Sequence, residues 1–204
     1  MNTKKLVFEG CATALVTPFK NGKIDFKALS RLIDFQIENG ASALVILGTT
    51  GESPCVDFDE RDEVVAFAKD AIGGRVPMLV GTGTNNTKTS IKLTQSAEKL
   101  GADGALLVTP YYNKATADGL LAHYLAIANS VSIPIVVYNV PSRTGVDIPL
   151  SVYQRLASVP NIYGVKEASS DISKITKICG SCGDLTVWTG NDEHIVPAIS
   201  LGAQ

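Results

Sequence analysis

The sequence predicts an α/β protein: a parallel sheet of the (β/α)8 TIM-barrel kind, of which this chain carries about seven βα units. Three observations lead there. Seven short apolar runs alternate with amphipathic segments along the chain. The runs are continuously rich in Val, Ile and Leu rather than alternating with polar residues, as expected of parallel strands covered on both faces. A phrase also repeats where helices give way to strands. Asn39-Gly40-Ala41-Ser42-Ala43-Leu44-Val45 and Leu100-Gly101-Ala102-Asp103-Gly104-Ala105-Leu106 each end a helix on glycine, turn, and enter a strand. Leu201-Gly202-Ala203-Gln204 begins the phrase a third time. Repeated βα units with short links give a parallel sheet, closed or open. The repeat favours closure, and an open seven-stranded sheet is the alternative. A closed barrel typically takes ~250 residues, so with 204 residues the eighth strand and its following helices are expected to lie beyond Gln204. Residues 1–204 read as a single partial barrel domain.

The strands are expected at 12–17, 43–48, 78–83, 105–109, 135–140, 162–168 and 185–189. Between them the helices have readable ends. Asp25 caps a helix whose apolar positions Phe26, Leu29, Leu32, Ile33 and Ile37 recur at a period near 3.6, and Gly40 stops it. Thr87 is expected to cap a helix that stops at Gly101. Further helices are expected at about 57–72, 118–130, 149–158 and 171–179.

Composition excludes several classes of function. The chain is 45% hydrophobic and 19% charged, a globular balance that one core can satisfy without a dividing linker. A net charge of −2 and a pI near 5.7 offer nothing to nucleic acid or an anionic membrane. The basic start, residues 1–10, breaks its apolar run at Glu9, so it is not read as a signal peptide, and no segment reaches spanning length. The expected location is the cytoplasm. With only His123 and His194, a histidine-rich metal site is excluded by count, and the carboxylates lack calcium-loop spacing. Cys179-Gly180-Ser181-Cys182 is a C-x-x-C without a second pair, expected in a helix-to-strand loop; Cys11 and Cys55 read as small core or site-lining residues. Gly81-Thr82-Gly83 lacks the third glycine of a dinucleotide fingerprint, because Asn86 holds that position.

The residue that carries chemistry is Lys166, inside the strand-like run Ile162-Tyr163-Gly164-Val165-Lys166-Glu167-Ala168. An ammonium removed from water costs several kcal/mol unless it is paired or gives up its proton. At the ordinary lysine pKa only about four amines in ten thousand are neutral at pH 7. Burial raises that fraction and makes the amine a nucleophile toward carbonyls. The bland alternative is a lysine that reaches the strand end or pairs with Glu167. In barrels of this kind the site lies at the carboxyl ends of the strands. Polar residues gather there: Gly48-Thr49-Thr50-Gly51-Glu52-Ser53, Thr109-Pro110-Tyr111-Tyr112-Asn113, Tyr138-Asn139-Val140-Pro141-Ser142-Arg143-Thr144-Gly145, and Thr189-Gly190-Asn191-Asp192. Tyr and Thr hydroxyls can relay protons without adding permanent charge beside an amine, and a guanidinium can hold a carboxylate through paired hydrogen bonds.

These motifs, with Gly164-Val165-Lys166-Glu167-Ala168, closely resemble those of the dihydrodipicolinate synthase (4-hydroxy-tetrahydrodipicolinate synthase) family. The likeness runs from about Gly10 to the end. The resemblance implies a Schiff-base lyase of lysine (diaminopimelate) biosynthesis that condenses pyruvate with L-aspartate 4-semialdehyde. Lys166 would form the imine, Tyr138 would move protons at it, and Thr49 and Tyr112 would complete a hydroxyl relay. Thr50 would bind the pyruvate carboxylate and Arg143 that of the second substrate, with Gly190 among the substrate-binding positions. No metal or organic cofactor is implied. In the family the counterpart of Tyr112 serves a neighbouring subunit, so a homodimer or homotetramer is implied. Two departures stand out. The family continues into an eighth strand that helps line the pyruvate pocket. Lysine-inhibited members also carry two histidines and a glutamate where this chain has Phe58, Arg61 and Thr89, while Ser53, Asn85 and Tyr111 remain. Weak or absent feedback by lysine is therefore expected. The alternatives are a sister pyruvate-dependent aldolase (N-acetylneuraminate lyase or a 2-keto-3-deoxy sugar acid aldolase) and a non-catalytic barrel fragment.

Overall fold

The computed structural model describes Lys4 and residues 7–204, so the reading of residues 1–10 as no signal peptide falls partly outside the described residues. Seven strands form one sheet: β1 (Ala12–Ala14), β2 (Ala43–Ile46), β3 (Met78–Gly81), β4 (Gly104–Val108), β5 (Ile135–Asn139), β6 (Ile162–Glu167) and β7 (Thr186–Thr189). Their spatial order is their chain order, and every neighbouring pair is parallel. Each expected strand is present, shorter by up to three residues at its carboxyl end. That shortening has a physical reason. The residue after most strand ends still donates to the neighbouring strand, as Thr82 does to Leu106 O and Thr109 to Tyr138 O, and beyond that single bond the regular ladder gives way to the polar turns of the mouth.

Side-chain alternation shows that the sheet is rolled. Successive residues of a strand face opposite ways. One set, Ala12 and Ala14 (β1), Ala43 and Val45 (β2), Leu79 (β3), Leu106 (β4), Val136 and Tyr138 (β5) and Trp188 (β7), gathers with Phe8 into a single cluster. Residues from nearly every strand can meet only if the sheet curls around them. Phe8 stacks on Trp188 with centroids 4.6 Å apart and so fills part of the interior.

The opposite set packs under the helices in two cores. Leu44, Ile46, Met78 and Val80 lie beneath α1 (Phe26–Glu38), α2 (Phe58–Ile72) and α3 (Thr87–Lys99). Leu107, Ile135, Val137, Val165 and Val187 lie beneath α4 (Ala117–Ala128), α5 (Leu150–Ala157), α6 (Ile172–Ser181) and α7 (Ile195–Ser200). Burial of these faces is the main stabilising term, at ~25 cal/mol per Å² of apolar surface.

The repeated phrase is a repeated helix stop. Gly40, Gly101 and Gly202 take φ values of +91°, +84° and +100°. The amide of the next residue reaches back five positions each time: Ala41 to Gln36, Ala102 to Ala97, Ala203 to Ala198. This is the Schellman arrangement, with glycine in the left-handed conformation and a small apolar residue tucked in behind it. Gln204 then donates to Val187 O, on the outer edge of β7.

Several local expectations are corrected. Asn86, not Thr87, caps α3 by accepting from the Thr89 amide, and Thr116 caps α4 by accepting from Gly119, so α4 begins at Ala117 rather than Asp118. In both cases the residue with extended backbone just outside the helix takes the cap. The C-x-x-C is not in a loop: Cys179 lies in the last turn of α6 and Cys182 closes it, because buried Ile175 and Ile178 carry the helix past Gly180. Cys11 and Cys55 are exposed, not core. A hairpin, Phe19–Lys20 with Lys23–Ile24, was not expected; Asn21-Gly22 at its tip, both at positive φ, is the sequence signal for it. Short helical turns also follow β2, β5 and β7, at Ser53–Cys55, Pro141–Thr144 and Asp192–His194.

Candidate active site

Lys166 sits on the inward-facing side of β6, paired in register with Tyr138 on β5 and Trp188 on β7. Its amine lies 4.7 Å from the centroid of the Tyr138 ring. None of the ion pairs among the described residues involves it. Burial pushes the ammonium below the usual lysine range, and the nearby Arg143 guanidinium pushes it further the same way. Both effects favour the neutral, nucleophilic amine. The pairing with Glu167 is not formed: Glu167, the next residue, points to the other face of the sheet and bonds to Asn139.

Tyr138 is buried, and burial raises its phenol pKa; the Thr49 side chain and Arg143 oppose that shift. The phenol thus lies between a hydroxyl neighbour and a cation. Thr49 comes from the turn after β2, whose shape is tightly determined. Leu47, fully buried, takes φ +55°, an uncommon conformation for a branched side chain. A Cβ on Gly51 would come within 3.2 Å of the Leu47 backbone, and one on Gly81 within 2.2 Å of Leu47 O. Thr17 donates to Gly51 O at 2.6 Å. Gly48 to Gly51 is therefore held as a rigid turn, which aims Thr49 and Thr50 into the mouth.

These elements enclose a cavity of about 220 Å³, walled by Gly48, Thr49, Thr50, Tyr138, Arg143, Lys166 and Gly190 over a floor of Ala14, Val45 and Leu106. Six of the seven expected site residues thus meet in one place. Gly190 has a steric role: a Cβ there would lie 2.9 Å from Lys166 Cε and 2.8 Å from Ala168 Cβ. Arg143 reaches the mouth from the turn Pro141–Thr144, which Gly145 ends at φ +69°.

The seventh, Tyr112, is not in the cavity. It is 88% exposed and holds φ +70°. A large side chain kept in that conformation and facing solvent is strained without gaining local contacts.

Two supporting features were not anticipated. Arg61 is buried; it donates to Ser53 O at 3.0 Å and to Gly81 O at 2.7 Å, tying the loop after β2 to the end of β3. Burial lowers its pKa. Behind Lys166, Glu167 is 1% exposed and belongs to a hydrogen-bonded group with Asn139 and Tyr153. A charged residue inside an apolar pattern was the available signal for both. Among the described residues no group of three or more His, Cys, Asp or Glu is placed to hold a metal ion, and no helix is long and apolar enough to cross a membrane.

Comparison with known proteins agrees with this geometry. The Dihydrodipicolinate synthetase family model matches residues 7–204. A 4-hydroxy-tetrahydrodipicolinate synthase from Caldicellulosiruptor saccharolyticus is 46% identical over 197 residues, covering 96% of this chain and 67% of the relative. The crystal structure of dihydrodipicolinate synthase from Thermotoga maritima superposes with a TM-score of 0.95 at 45% identity, covering 98% of this chain and 69% of that one. The synthase of Cyanidioschyzon merolae with lysine bound superposes at 0.94 with 37% identity and the same coverages. With a rolled parallel sheet, a lysine and a tyrosine facing each other within it, and a family match from residue 7 to residue 204, this chain belongs to the dihydrodipicolinate synthetase family.

Proposed function

We propose that the chain carries the Schiff-base chemistry of 4-hydroxy-tetrahydrodipicolinate synthase, joining pyruvate to L-aspartate 4-semialdehyde. The observation that supports it most is Lys166 itself: an inward-facing amine without an ion-pair partner among the described residues, set over the Tyr138 ring. The neutral amine adds to the keto carbon of pyruvate. The carbinolamine takes a proton on its oxygen, from Tyr138, and loses water to give the protonated imine. That imine is the electron sink, so the proposed route uses no metal or organic cofactor. Loss of a methyl proton gives the enamine, whose terminal carbon attacks the aldehyde and forms the new C–C bond. The amino group of the second substrate then adds to the imine carbon, expels the Lys166 amine and closes the ring.

Thr50, at the rigid turn, binds the pyruvate carboxylate in this scheme, and Thr49 passes protons to and from Tyr138. Arg143 binds the carboxylate of aspartate semialdehyde. An arginine at that mouth suits a charged second substrate better than a neutral sugar chain, which argues against the sister sugar-acid aldolases. Tyr112, exposed and strained, is proposed to act in the site of a second copy of the chain within a dimer or tetramer. On this reading the reaction belongs to the cytoplasm.

Borohydride reduction with pyruvate present tests the proposal. A pyruvate adduct that intact mass detects and peptide mapping assigns to Lys166 is the expected result. Absence of any pyruvate-dependent adduct, as the non-catalytic reading requires, would overturn it.

A further inference from the structure

We propose that Asn139 and Glu167 form a positioning pair that holds Tyr138 and Lys166 face to face from the reverse side of the sheet; the proposal rests on the Schiff-base reading above. The two pairs are consecutive rungs of one ladder: Tyr138 lies opposite Lys166, and Asn139 opposite Glu167. Alternation sends the first rung into the mouth and the second into the layer under the helices. The orientation of Lys166 is therefore tied to that of Glu167. A slip of one residue would turn the amine out of the cavity.

This ladder needs such a device. It carries an irregularity at its start, where Ile135 pairs with Ile162 but Val136 pairs with Gly164. The register has to be set again above that bulge. Asn139 does so with its side chain. Its amide nitrogen donates to both Glu167 oxygens, at 2.9 and 3.0 Å, and to Asp147 at 2.8 Å, while its carbonyl oxygen accepts from the Ile148 amide at 3.1 Å. Glu167 also accepts from the Tyr153 hydroxyl at 3.1 Å and from the Ser169 amide at 2.7 Å. Asn139 is 0% exposed and Glu167 1%.

Stability alone does not account for this arrangement. No ion pair among the described residues involves Glu167, so its buried carboxyl group is held by neutral donors. Buried ionisable groups add little net stability compared with apolar residues of the same size, and fixing a register is their best-attested use. Every oxygen of this carboxylate is engaged, so the strand has one orientation, one residue from the amine.

The test is pyruvate trapping by borohydride on the full chain, recording the maximal rate of adduct formation and the half-saturating pyruvate concentration. Wild type is expected to label at Lys166. Glu167→Gln keeps the shape but replaces one acceptor oxygen with a donor, leaving Asn139 or Ser169 without its partner. Its maximal rate is expected to fall roughly 10–100-fold, the size associated with displacing reacting groups by about an ångström, with half-saturation changed less than threefold. Tyr153→Phe removes only one hydrogen bond to the carboxylate and should lose about fivefold. Ile175→Val, a packing change in the same layer, should leave the maximal rate unaltered. A folded Glu167→Gln protein that traps at the wild-type rate overturns the pair, as does a loss confined to half-saturation. Should Glu167→Gln not fold, Tyr153→Phe decides: a rate within twofold of wild type overturns the proposal, and a fivefold loss at constant half-saturation supports it. A wild-type chain that does not label at all overturns the Schiff-base reading, and the pair with it.

Discussion

Lys166 and Lys174 are both poorly exposed lysines, and they live in opposite regimes. Lys174, in the layer between sheet and helices, is ion-paired with Asp147 and lies 5.8 Å from the Tyr153 ring centroid. Lys166, inside the rolled sheet, has an aromatic face and a second cation near it instead of a carboxylate. The outer layer pairs nearly every polar group: Asn139, Glu167, Asp147, Lys174 and Tyr153 are all hydrogen-bonded. The mouth withholds partners. A structural lysine is stabilised by a counter-charge that keeps its proton on; a reactive one needs the counter-charge removed. Two residues adjacent in sequence, Lys166 and Glu167, divide these roles because strand alternation sends them to opposite sides.

The contrast can be broken most directly at its centre. Lys166→Ala should abolish the pyruvate adduct altogether, as read by intact mass after borohydride; equal labelling on another lysine would show that the inner environment is not special. Tyr138→Phe removes the proposed proton carrier and keeps the ring, so adduct formation should slow by roughly 10²–10³-fold, the range for losing a general acid–base group. A loss below threefold in stopped trapping assays would assign the protons to another group.

His123 and Tyr124, neighbours on α4, are exceptions to that pairing, and His123 gives a stability prediction. His123 on α4 is buried; its Nδ1 meets Thr87 Oγ1 at 2.9 Å, but its Nε2 has no partner among the described residues. Burial pushes the imidazole down to about 4, against ~6.5 when unfolded. The folded pKa is depressed, so the unfolded chain takes up the proton first. Stability is then unaffected by this group above pH 6.5 and is lost as pH falls from 6.5 toward 4, by up to about 3 kcal/mol. Urea midpoints measured across that window should drop in wild type and drop less in His123→Gln; equal slopes would refute the assignment.

Two smaller effects sharpen the inner side. Gly190→Ala places a Cβ 2.9 Å from Lys166 Cε and 2.8 Å from Ala168 Cβ, and should slow trapping about tenfold by displacing the amine and cost about 1 kcal/mol of stability by overpacking. Free lysine at millimolar concentration should change the trapping rate less than twofold, because Arg61 is occupied by two backbone carbonyls and Thr89 offers no carboxylate for an ammonium. A clear dose-dependent inhibition would show that Ser53, Asn85 and Tyr111 suffice for a lysine site.

Much of the site was legible before any coordinates. Lys166 and Tyr138 lie near the ends of apolar runs and Thr49, Thr50, Arg143 and Gly190 follow them, and the carboxyl ends of parallel strands converge by geometry. Tyr112 was legible as a motif residue, yet a single chain leaves it 88% exposed. Glu167 and Arg61 carry a signal as charged residues on apolar faces, but the partners that make the Asn139–Glu167 rung and the Arg61 bridge do not, because they lie 28 and 20 residues away and hydrogen-bond partners at that distance leave no local pattern. The Asn21-Gly22 turn signal is present, but flanking strands of two residues each carry no apolar run to mark the hairpin.

What the linear order of residues determined by itself was periodic: apolar runs and glycine stops recur at short range, and short-range physics is enough to place strands, helices and their ends. Which lysine lies beside a cation and which beside a carboxylate was a tertiary decision. Only the rolled sheet puts an aromatic ring and a guanidinium beside one amine and a carboxylate beside another, and those distant neighbours set the field at each.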